Sequence, residues 1–266
     1  MKIAVLADIH SNLPALLAVI KDLAREGAQE VLVLGDIVGY FAQPVECLDL
    51  LGSCGRPAHL VKGNHEDLLR DQCWQDEAEN GMVLVGIRHA DLVLSDEQYG
   101  FLRGLPRARF FTDWRVAVSH DTFTYPGNGK YVVYDGEADS EELCYMQLQA
   151  LPVQFSIGFL GHTHIPYLYE KIPDKRRADF VEDLADREMP LLPEARYLIN
   201  PGSVGQPRDN DSRTAYGLLD LDAKPATFRL RRLTYDIAAT IEAIDDMRMA
   251  EGEVAEKLKR RLRGGW

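Results

Sequence analysis

Five short apolar runs in this chain each end in polar side chains that bind metal ions well. With their polar ends, the runs read IAVLADIH, VLVLGD, HLVKGNH, VAVSH and IGFLGHTH in chain order. Short apolar runs bounded by turn residues are typical of buried strands. We therefore expect strands of one α/β framework to bring their polar ends to a common edge of a sheet.

The side chains at these ends form a candidate ligand set for two metal ions. The set consists of Asp8, His10, Asp36, Asn64, His120, His162 and His164. Asp8 and His10 are two residues apart, so at a strand end both face the same side. Asp36 is the natural bridge, because a carboxylate offers one oxygen to each of two cations. Mixed oxygen and nitrogen donors without thiolate favour Mn²⁺, Fe, Zn²⁺, Co²⁺ or Ni²⁺ over Ca²⁺.

Each motif taken alone has an ordinary structural interpretation. A Gly-Asp pair after a strand is usually a turn, and a single histidine such as His120 is usually a hydrogen-bonded core residue. The ordered combination of all five motifs at strand ends is far more specific than any one of them. It favours a dinuclear metal site.

The order of predicted elements indicates an α/β fold. In the first half strands alternate with helices, which predicts parallel strands with helices packed outside them. The first helix has Asn12 or Ser11 as its expected N-cap and ends at Gly27. In the second half short strands follow one another closely, from QFSIGFLG to ATFRLRRLTY. They predict a second, mostly antiparallel sheet.

We interpret the whole chain, 1–266, as a single domain, since no linker divides it. Residues 172–194 are charged and contain several prolines, which predicts a surface insertion. Residues from about 236 to 262 have the pattern of one or two amphipathic helices.

Charge and cysteine content disfavour some classes of partner and of metal site. The formal net charge is −12, from 42 acidic and 30 basic residues, and such a field disfavours a long nucleic acid as partner. No apolar stretch is long enough to span a membrane. The four cysteines have neither metal-site nor disulfide-framework spacing, so we expect reduced thiols and a cytoplasmic location. An oligomer is possible, but no pattern indicates one.

From Met1 to about Leu221 the chain resembles the calcineurin-like metallophosphoesterase superfamily. The motifs that carry the resemblance are, in chain order, D-x-H, G-D, G-N-H-E, H and G-H-x-H. The later run from Asn200 to Ser203 is similar to the N-P-G-S motif of its small bacterial phosphodiesterase-like branch. The resemblance implies a four-layer α/β/β/α sandwich of two mixed sheets. It also implies a first metal on Asp8, His10, Asp36 and His164, and a second on Asp36, Asn64, His120 and His162.

The resemblance further implies a metal-dependent hydrolase of phosphate esters, in which a hydroxide bridging two metal ions attacks phosphorus. His65 matches the family's catalytic histidine, which does not bind metal. The small bacterial branch favours a phosphodiesterase acting on a small or nucleotide-type substrate, with manganese as the expected metal. The alternatives are a phosphomonoesterase or protein-phosphatase-like enzyme, and a non-catalytic scaffold of the same fold. A scaffold is disfavoured because every ligand position and His65 are filled.

Two further residues are candidates for substrate contact. Arg208 follows a loop rich in glycine and proline, where it either clamps a phosphate or pairs on the surface with Asp209 or Asp211. Asn12 either contacts substrate or caps the first helix, and we favour the cap. Ser11, Phe41 and Glu66 differ from the residues usual in this branch. Since their loops are expected to line the pocket, the substrate stays open.

Overall fold

The computed structural model describes residues 1–70, 81–127, 132, 138–173, 175–180, 184–247 and 250–263. The strands are β1 (Lys2–Leu6), β2 (Glu30–Val33), β3 (Ala58–Leu60), β4 (Ala108–Phe111), β5 (Val116–Ser119), β6 (Ile157–Phe159), β7 (Tyr167–Ile172), β8 (Lys175–Phe180), β9 (Glu188–Leu191), β10 (Arg196–Asn200), β11 (Thr214–Asp220) and β12 (Ala226–Leu233). The helices are α1 (Leu13–Glu26), α2 (Pro44–Ser53), α3 (Asn64–Leu68), α4 (Gly81–Val93), α5 (Asp96–Arg103), α6 (Ala138–Ala150), α7 (Ile237–Asp245) and α8 (Gly252–Arg261).

The strands form two six-stranded mixed sheets. The first sheet has the order β3-β2-β1-β11-β12-β9, and the second has the order β4-β5-β6-β10-β7-β8. In the first sheet β1, β2 and β3 are parallel, whereas β11 runs antiparallel to β1. In the second sheet β5, β6 and β10 are parallel and the outer pairs are antiparallel.

The two sheets pack face to face and carry helices on their outer faces. Buried side chains of both sheets fill the space between them, among them Val5, Leu32, Phe159, Ile199 and Phe228. Helices α1, α2, α4 and α5 bury apolar side chains against the outer face of the first sheet. Helix α6 does the same on the second sheet through Cys144 and Leu148. The expected four-layer sandwich with two mixed sheets is confirmed.

Local signals in the sequence account for the first helix. The Asn12 side chain accepts a hydrogen bond from the backbone N–H of Ala15, and Pro14 lies in the first turn. The helix ends at Gly27, which has φ of 69°. A left-handed residue at this point is cheap only for glycine, so the chain turns here toward β2.

Strands β11 and β12 lie in the first sheet, and not in a second sheet made from the second half of the chain as the sequence suggested. Strand β11 pairs with β1 from Lys2↔Asp220 to Val5↔Gly217. It is buried over most of its length, which suits a central strand. Alternating apolar residues predict that a segment is a strand, but they do not select its neighbour.

The expected surface insertion at 172–194 is instead partly built into both sheets. Strand β8 forms one edge of the second sheet, and β9 forms one edge of the first. Leu184, Met189 and Leu191 are buried between the sheets. Edge strands tolerate charged residues and proline, because one side of each has no strand to pair with. Their composition therefore resembles that of a loop.

The C-terminal segment contains α7 and α8, which pack against Tyr40, Phe41 and part of α4 through Ile244 and Leu258. Among the residues described, no helix is long and apolar enough to cross a bilayer. Cys47, Cys54 and Cys144 are buried free thiols, and Cys73 lies outside the described residues.

Candidate metal centre

The predicted ligands come from the carboxyl ends of five parallel strands in two sheets. The first sheet supplies Asp8 and His10 after β1, Asp36 after β2 and Asn64 after β3. The second sheet supplies His120 after β5, and His162 and His164 after β6. The aspartates and histidines of this set are all buried. The structure thus brings all seven predicted ligands to one place where the edges of the two sheets meet.

Much of the ligand-bearing backbone is bent into the left-handed region. Positive φ angles occur at Asp8 (53°), His10 (50°), Asp36 (51°), His162 (68°) and His164 (62°). Each such residue other than glycine costs on the order of 1–3 kcal/mol, and these residues cluster at functional sites. Sharp backbone bends therefore follow β1, β2 and β6, where these candidate ligands lie.

The ligand atoms form overlapping groups, two of which contain Asp36. Three groups each have ligand atoms within 4.8 Å of one another: Asp8, His10 and His164; His10, Asp36 and His65; and Asp36, His120 and His162. On one side the Nε2 atoms of His10 and His164 are 3.0 Å apart. On the other side His120 Nε2 lies 3.0 Å from Asn64 Oδ1 and 3.1 Å from His162 Nδ1. Asp36 lies between the two sides.

Three imidazoles are oriented by the backbone in the manner of metal ligands. The Nδ1 atoms of His10, His120 and His164 lie 3.2, 2.8 and 2.6 Å from the carbonyl oxygens of Val38, Leu34 and Gln206. A carbonyl only accepts, so each Nδ1 carries the proton and donates it. Each Nε2 of a neutral ring then presents a lone pair toward the centre. Such closely spaced lone pairs repel one another unless a cation lies between them, so the donor set fits two metal ions.

Charge within the centre favours the metal-binding form of His10 and His164 and the protonated form of His120. Burial lowers the pKa values of His10 and His164. His65 lowers the pKa of His10 further, and the charge of Arg208 does the same to His164. These rings are thereby kept neutral, which is the form that binds metal. Burial alone would raise the pKa of Asp36, but His120 and His65 hold it well below its ordinary value. Despite burial, the Asp36 charge raises the pKa of His120 to about 10.

Glu66 joins two of the ligand-bearing loops. Its carboxylate accepts hydrogen bonds from the backbone N–H groups of Asp36 (3.0 Å), Ile37 (2.8 Å), Val38 (3.2 Å) and Gly63 (2.8 Å). A Cβ on Gly63 would lie 2.2 Å from Asp36 Oδ1, so only glycine permits this approach. The sequence marked Glu66 only as a departure from the usual aspartate; its supporting role depends on a contact across about 30 residues.

The Asn-Pro-Gly-Ser run supports the centre from the second sheet. Asn200 Nδ2 donates to the carbonyl of Gly161 at 2.8 Å, directly before His162. Ser203 Oγ donates to the carbonyl of Asp8 at 2.8 Å. These two hydrogen bonds tie the loop after β6 and the loop after β1 to one turn. The motif was visible in the sequence, but its partners were not.

His65, the predicted catalytic residue, lies inside the centre. It is buried, and its Nε2 is 3.8 Å from Asp36 Oδ2. Its ring centroid lies 4.6 Å from that of His10 and 5.1 Å from that of Tyr40. A Cβ on Gly39 would meet His65 Nδ1 at 2.0 Å, so the glycine leaves room for the ring. The structure therefore places His65 beside the predicted ligands.

Arg208 lies against the centre and is buried. Its guanidinium donates to Gln206 Oε1 and, at 3.0 Å, to the Tyr40 hydroxyl. Tyr40 in turn packs edge-on against His10, with ring centroids 4.7 Å apart. The carboxylates considered as its surface partners are taken by other arginines, since Asp209 pairs with Arg232 and Asp211 with Arg213.

Both the oxygen and the nitrogen of the Asn12 side-chain amide form hydrogen bonds within the protein. Oδ1 accepts from the N–H of Ala15 and from Thr240 Oγ1 at 3.0 Å. Nδ2 donates to the Gly205 carbonyl at 2.8 Å. The favoured interpretation as a helix cap is therefore the one that the hydrogen bonds match.

Known proteins with related sequences and structures identify the family of this chain. The family model of the calcineurin-like phosphoesterase superfamily domain matches residues 1–224. An uncharacterized protein of Methanocaldococcus jannaschii is 32% identical over 254 residues, which is 94% of each chain. The crystal structure of a metallophosphoesterase from Sphaerobacter thermophilus superposes with a TM-score of 0.77 at 27% identity, covering 100% of this chain and 99% of that one.

A hypothetical protein from Pyrococcus horikoshii has the same fold, with a TM-score of 0.73 at 18% identity over 97% of both chains. The family match covers all of the ligand-bearing strand ends, and the structural matches extend over the whole chain. The protein belongs to the calcineurin-like phosphoesterase superfamily.

Proposed function

We propose that this protein is a metal-dependent hydrolase of phosphate esters whose preferred substrate is a small or nucleotide-type phosphodiester. The observation that carries the proposal is the orientation of the imidazoles. His10, His120 and His164 each have Nδ1 held by a backbone carbonyl and Nε2 directed at a shared group of carboxylates. Membership of the phosphoesterase superfamily supports the reaction class.

Two divalent cations are the proposed cofactors, with manganese as the expected metal and iron, zinc, nickel or cobalt as alternatives. Asp8, His10, Asp36 and His164 would hold the first, and Asp36, Asn64, His120 and His162 the second. When bound, the ions would lower the pKa of a water molecule toward neutrality and neutralise charge developing on the phosphoryl oxygens. Asp36 lies between both groups of donors and would hold the two halves in register.

His65 is the proposed catalytic residue. It is buried and adjoins the centre, and its Nδ1 has no hydrogen-bond partner among the described residues. A histidine in this position can protonate a leaving alkoxide or donate to a non-bridging phosphoryl oxygen. Either role stabilises charge that develops as the ester bond breaks.

Arg208 is the proposed substrate-binding residue, and its position favours a second candidate substrate class. The guanidinium is held by Gln206 and Tyr40, and its charge acts on both His65 and His164. A phosphomonoester carries one more negative charge than a diester does. A buried cation in addition to the metals would stabilise that charge, so phosphomonoesterase activity is the alternative function.

The test is hydrolysis of bis-p-nitrophenyl phosphate and p-nitrophenyl phosphate by metal-stripped protein with Mn²⁺, Ni²⁺, Zn²⁺ or Mg²⁺ added back. We expect the metal to restore turnover, with the diester cleaved faster. Asp36→Asn should abolish turnover because it removes the shared carboxylate. His65→Ala should retain both metals and lower kcat on the order of 10²–10⁴-fold.

The matched control is Asp49→Asn, an exposed carboxylate on α2, which should leave turnover unchanged. Faster cleavage of the monoester would replace the diester by the alternative substrate class. Two bound ions without turnover of either ester would favour the non-catalytic scaffold. Unchanged turnover in His65→Ala would exclude the role proposed for that residue.

The proposed partner is a small phosphate ester and neither a long nucleic acid nor a membrane. The net charge of −12 opposes a long polyanion, whereas two bound cations would attract a small one locally. We propose that residues 1–266 act as a single domain in the cytoplasm, where buried thiols such as Cys47 and Cys144 stay reduced.

A further inference from the structure

A second polar pocket lies beside the metal centre, on the other side of α3. Its volume is about 450 Å³, and Lys62, Arg70, Arg103 and Arg107 converge on it. Four cations around one small pocket are unusual in a chain whose net charge is −12. Like charges brought together repel one another unless anions compensate for them.

Two of these cations share one carboxylate. Lys62 Nζ lies 2.8 Å from Asp67 Oδ1, and Arg107 Nη1 lies 2.6 Å from Asp67 Oδ2. The Lys62 side chain is only 13% exposed, so its charge is well shielded from water. The two cations therefore share one carboxylate rather than having one each.

The opposite wall is organised by Tyr99. The Arg70 guanidinium lies over the Tyr99 ring at 4.1 Å and contacts Asp96, a carboxylate that is 93% exposed. Arg103 donates to the Tyr99 hydroxyl at 2.8 Å, which is a neutral partner. Of these four cations, Lys62 and Arg107 share Asp67, Arg70 has Asp96 at the rim, and Arg103 donates to a hydroxyl. Two further carboxylates lie close by but accept from backbone groups: Glu66 lines the pocket and accepts from the Gly63 N–H, and Asp91 accepts from the Arg70 N–H.

We propose that this pocket binds a phosphate-type dianion. Arginine presents planar N–H groups that match phosphate oxygens, and lysine adds a compact charge. A dianion would bridge the Lys62–Arg107 wall to the Arg103 guanidinium on the Tyr99 wall. Ordinary surface ion pairs, by contrast, match each cation to its own exposed carboxylate. The contacts above do not give Lys62, Arg107 or Arg103 such a carboxylate.

The pocket borders two segments that carry metal ligands. Helix α3 begins at Asn64 and contributes Asp67 to the pocket wall. Arg107 lies against the loop that follows His120, since a Cβ on Gly127 would meet Arg107 Nη1 at 1.9 Å. The dianion is therefore either a second phosphate on the substrate or a free phosphate that acts on the enzyme. This site goes beyond the proposed hydrolysis, and binding to it does not depend on turnover.

The test is calorimetric titration of inorganic phosphate into the full-length, metal-loaded protein and into the same protein after chelation. We expect one binding event to survive chelation, because this pocket does not require the metals. Arg103→Gln removes an exposed guanidinium and should weaken that event about tenfold or more. The matched control Arg88→Gln, on the exposed face of α4, should leave it unchanged.

Two kinetic experiments distinguish a second phosphate on the substrate from a free phosphate, and either result supports the site. For a second substrate phosphate, Arg103→Gln weakens inhibition by adenosine 3′,5′-bisphosphate about tenfold but leaves inhibition by adenosine 5′-monophosphate unchanged. For a free effector, phosphate changes kcat in the wild type and not in Arg103→Gln. The proposal is wrong if both proteins give the same phosphate isotherm after chelation, or if phosphate binds no better than chloride. Circular dichroism of the chelated protein checks that it stays folded.

Discussion

At the scale of single residues, protons and metal ions compete for the same nitrogens. His120 is hydrogen-bonded through Nδ1 to the Leu34 carbonyl, and its Nε2 lies 3.4 Å from Asp36 Oδ2. Without a cation nearby, the Asp36 carboxylate raises the pKa of His120 to about 10. A ring protonated at neutral pH cannot ligate, so metal binding must expel its proton.

We therefore predict that metal binding becomes tighter as pH rises. Below a pKa of about 10 the ring is protonated, and each unit of pH lowers the cost of expelling the proton by about 1.4 kcal/mol. Apparent Zn²⁺ affinity should rise about tenfold from pH 6 to pH 7, and calorimetry in buffers of different ionisation enthalpy should detect a released proton.

His120→Asn is the control, because an amide oxygen replaces the titrating ring. It should still bind metal, more weakly, and should release about one proton fewer. Metal binding to the wild type with no dependence on buffer would contradict the prediction.

At the scale of elements, a single side chain connects α1, α7 and the loop after β10. Asn12 caps α1 and bonds both Gly205 of that loop and Thr240 of α7. The Gly205 N–H in turn donates to the Asp8 carbonyl at 2.9 Å. The start of α1 is thereby linked to the loops that carry and support the candidate metal ligands.

We predict that Asn12→Ala lowers the free energy of unfolding by about 2–4 kcal/mol. The loss combines a missing cap, about 1 kcal/mol, with a buried carbonyl left without its donor, about 1–3 kcal/mol. Urea unfolding followed by circular dichroism measures it. Asn12→Ser keeps a neutral cap acceptor and should lose less. A raised KM at unchanged stability would instead indicate substrate contact.

At the scale of the whole molecule, the residues of the candidate metal centre come together only where two sheets meet. Asp8, His10, Asp36 and Asn64 follow strands of the first sheet, whereas His120, His162 and His164 follow strands of the second. The apolar layer between the sheets sets their spacing and so sets the ligand distances. Phe228 is central to this layer, with its ring against Gly217 and 6.0 Å from the ring of Phe159 in the opposite sheet.

We predict that Phe228→Ala lowers the free energy of unfolding by about 3–5 kcal/mol, because it leaves a cavity between the sheets. Chemical unfolding measures the change. Val153→Ala, at a side chain that is 85% exposed, is the control and should stay within about 0.5 kcal/mol of the wild type. A loss below about 1 kcal/mol in Phe228→Ala would mean that the layer can collapse into the space.

Most of the strands, the candidate ligand residues and the family resemblance can be predicted from the sequence alone. Each candidate ligand follows an apolar run whose strand character is a local property, so Asp8, Asp36 and His120 are recognisable from their neighbours in the sequence. The cap at Asn12 and the end of α1 at Gly27 are also local, since they depend on neighbouring backbone groups alone.

Strand pairing and the surroundings of the candidate ligands depend on contacts between distant parts of the chain. The placement of β11 beside β1 joins residues more than 200 positions apart, and no local pattern selects such a partner. The same holds for Glu66 on the Asp36 loop, for Arg208 beside Tyr40 and for the convergence of Lys62 and Arg103. These contacts depend on how two sheets and their helices pack, and packing is a property of the whole chain.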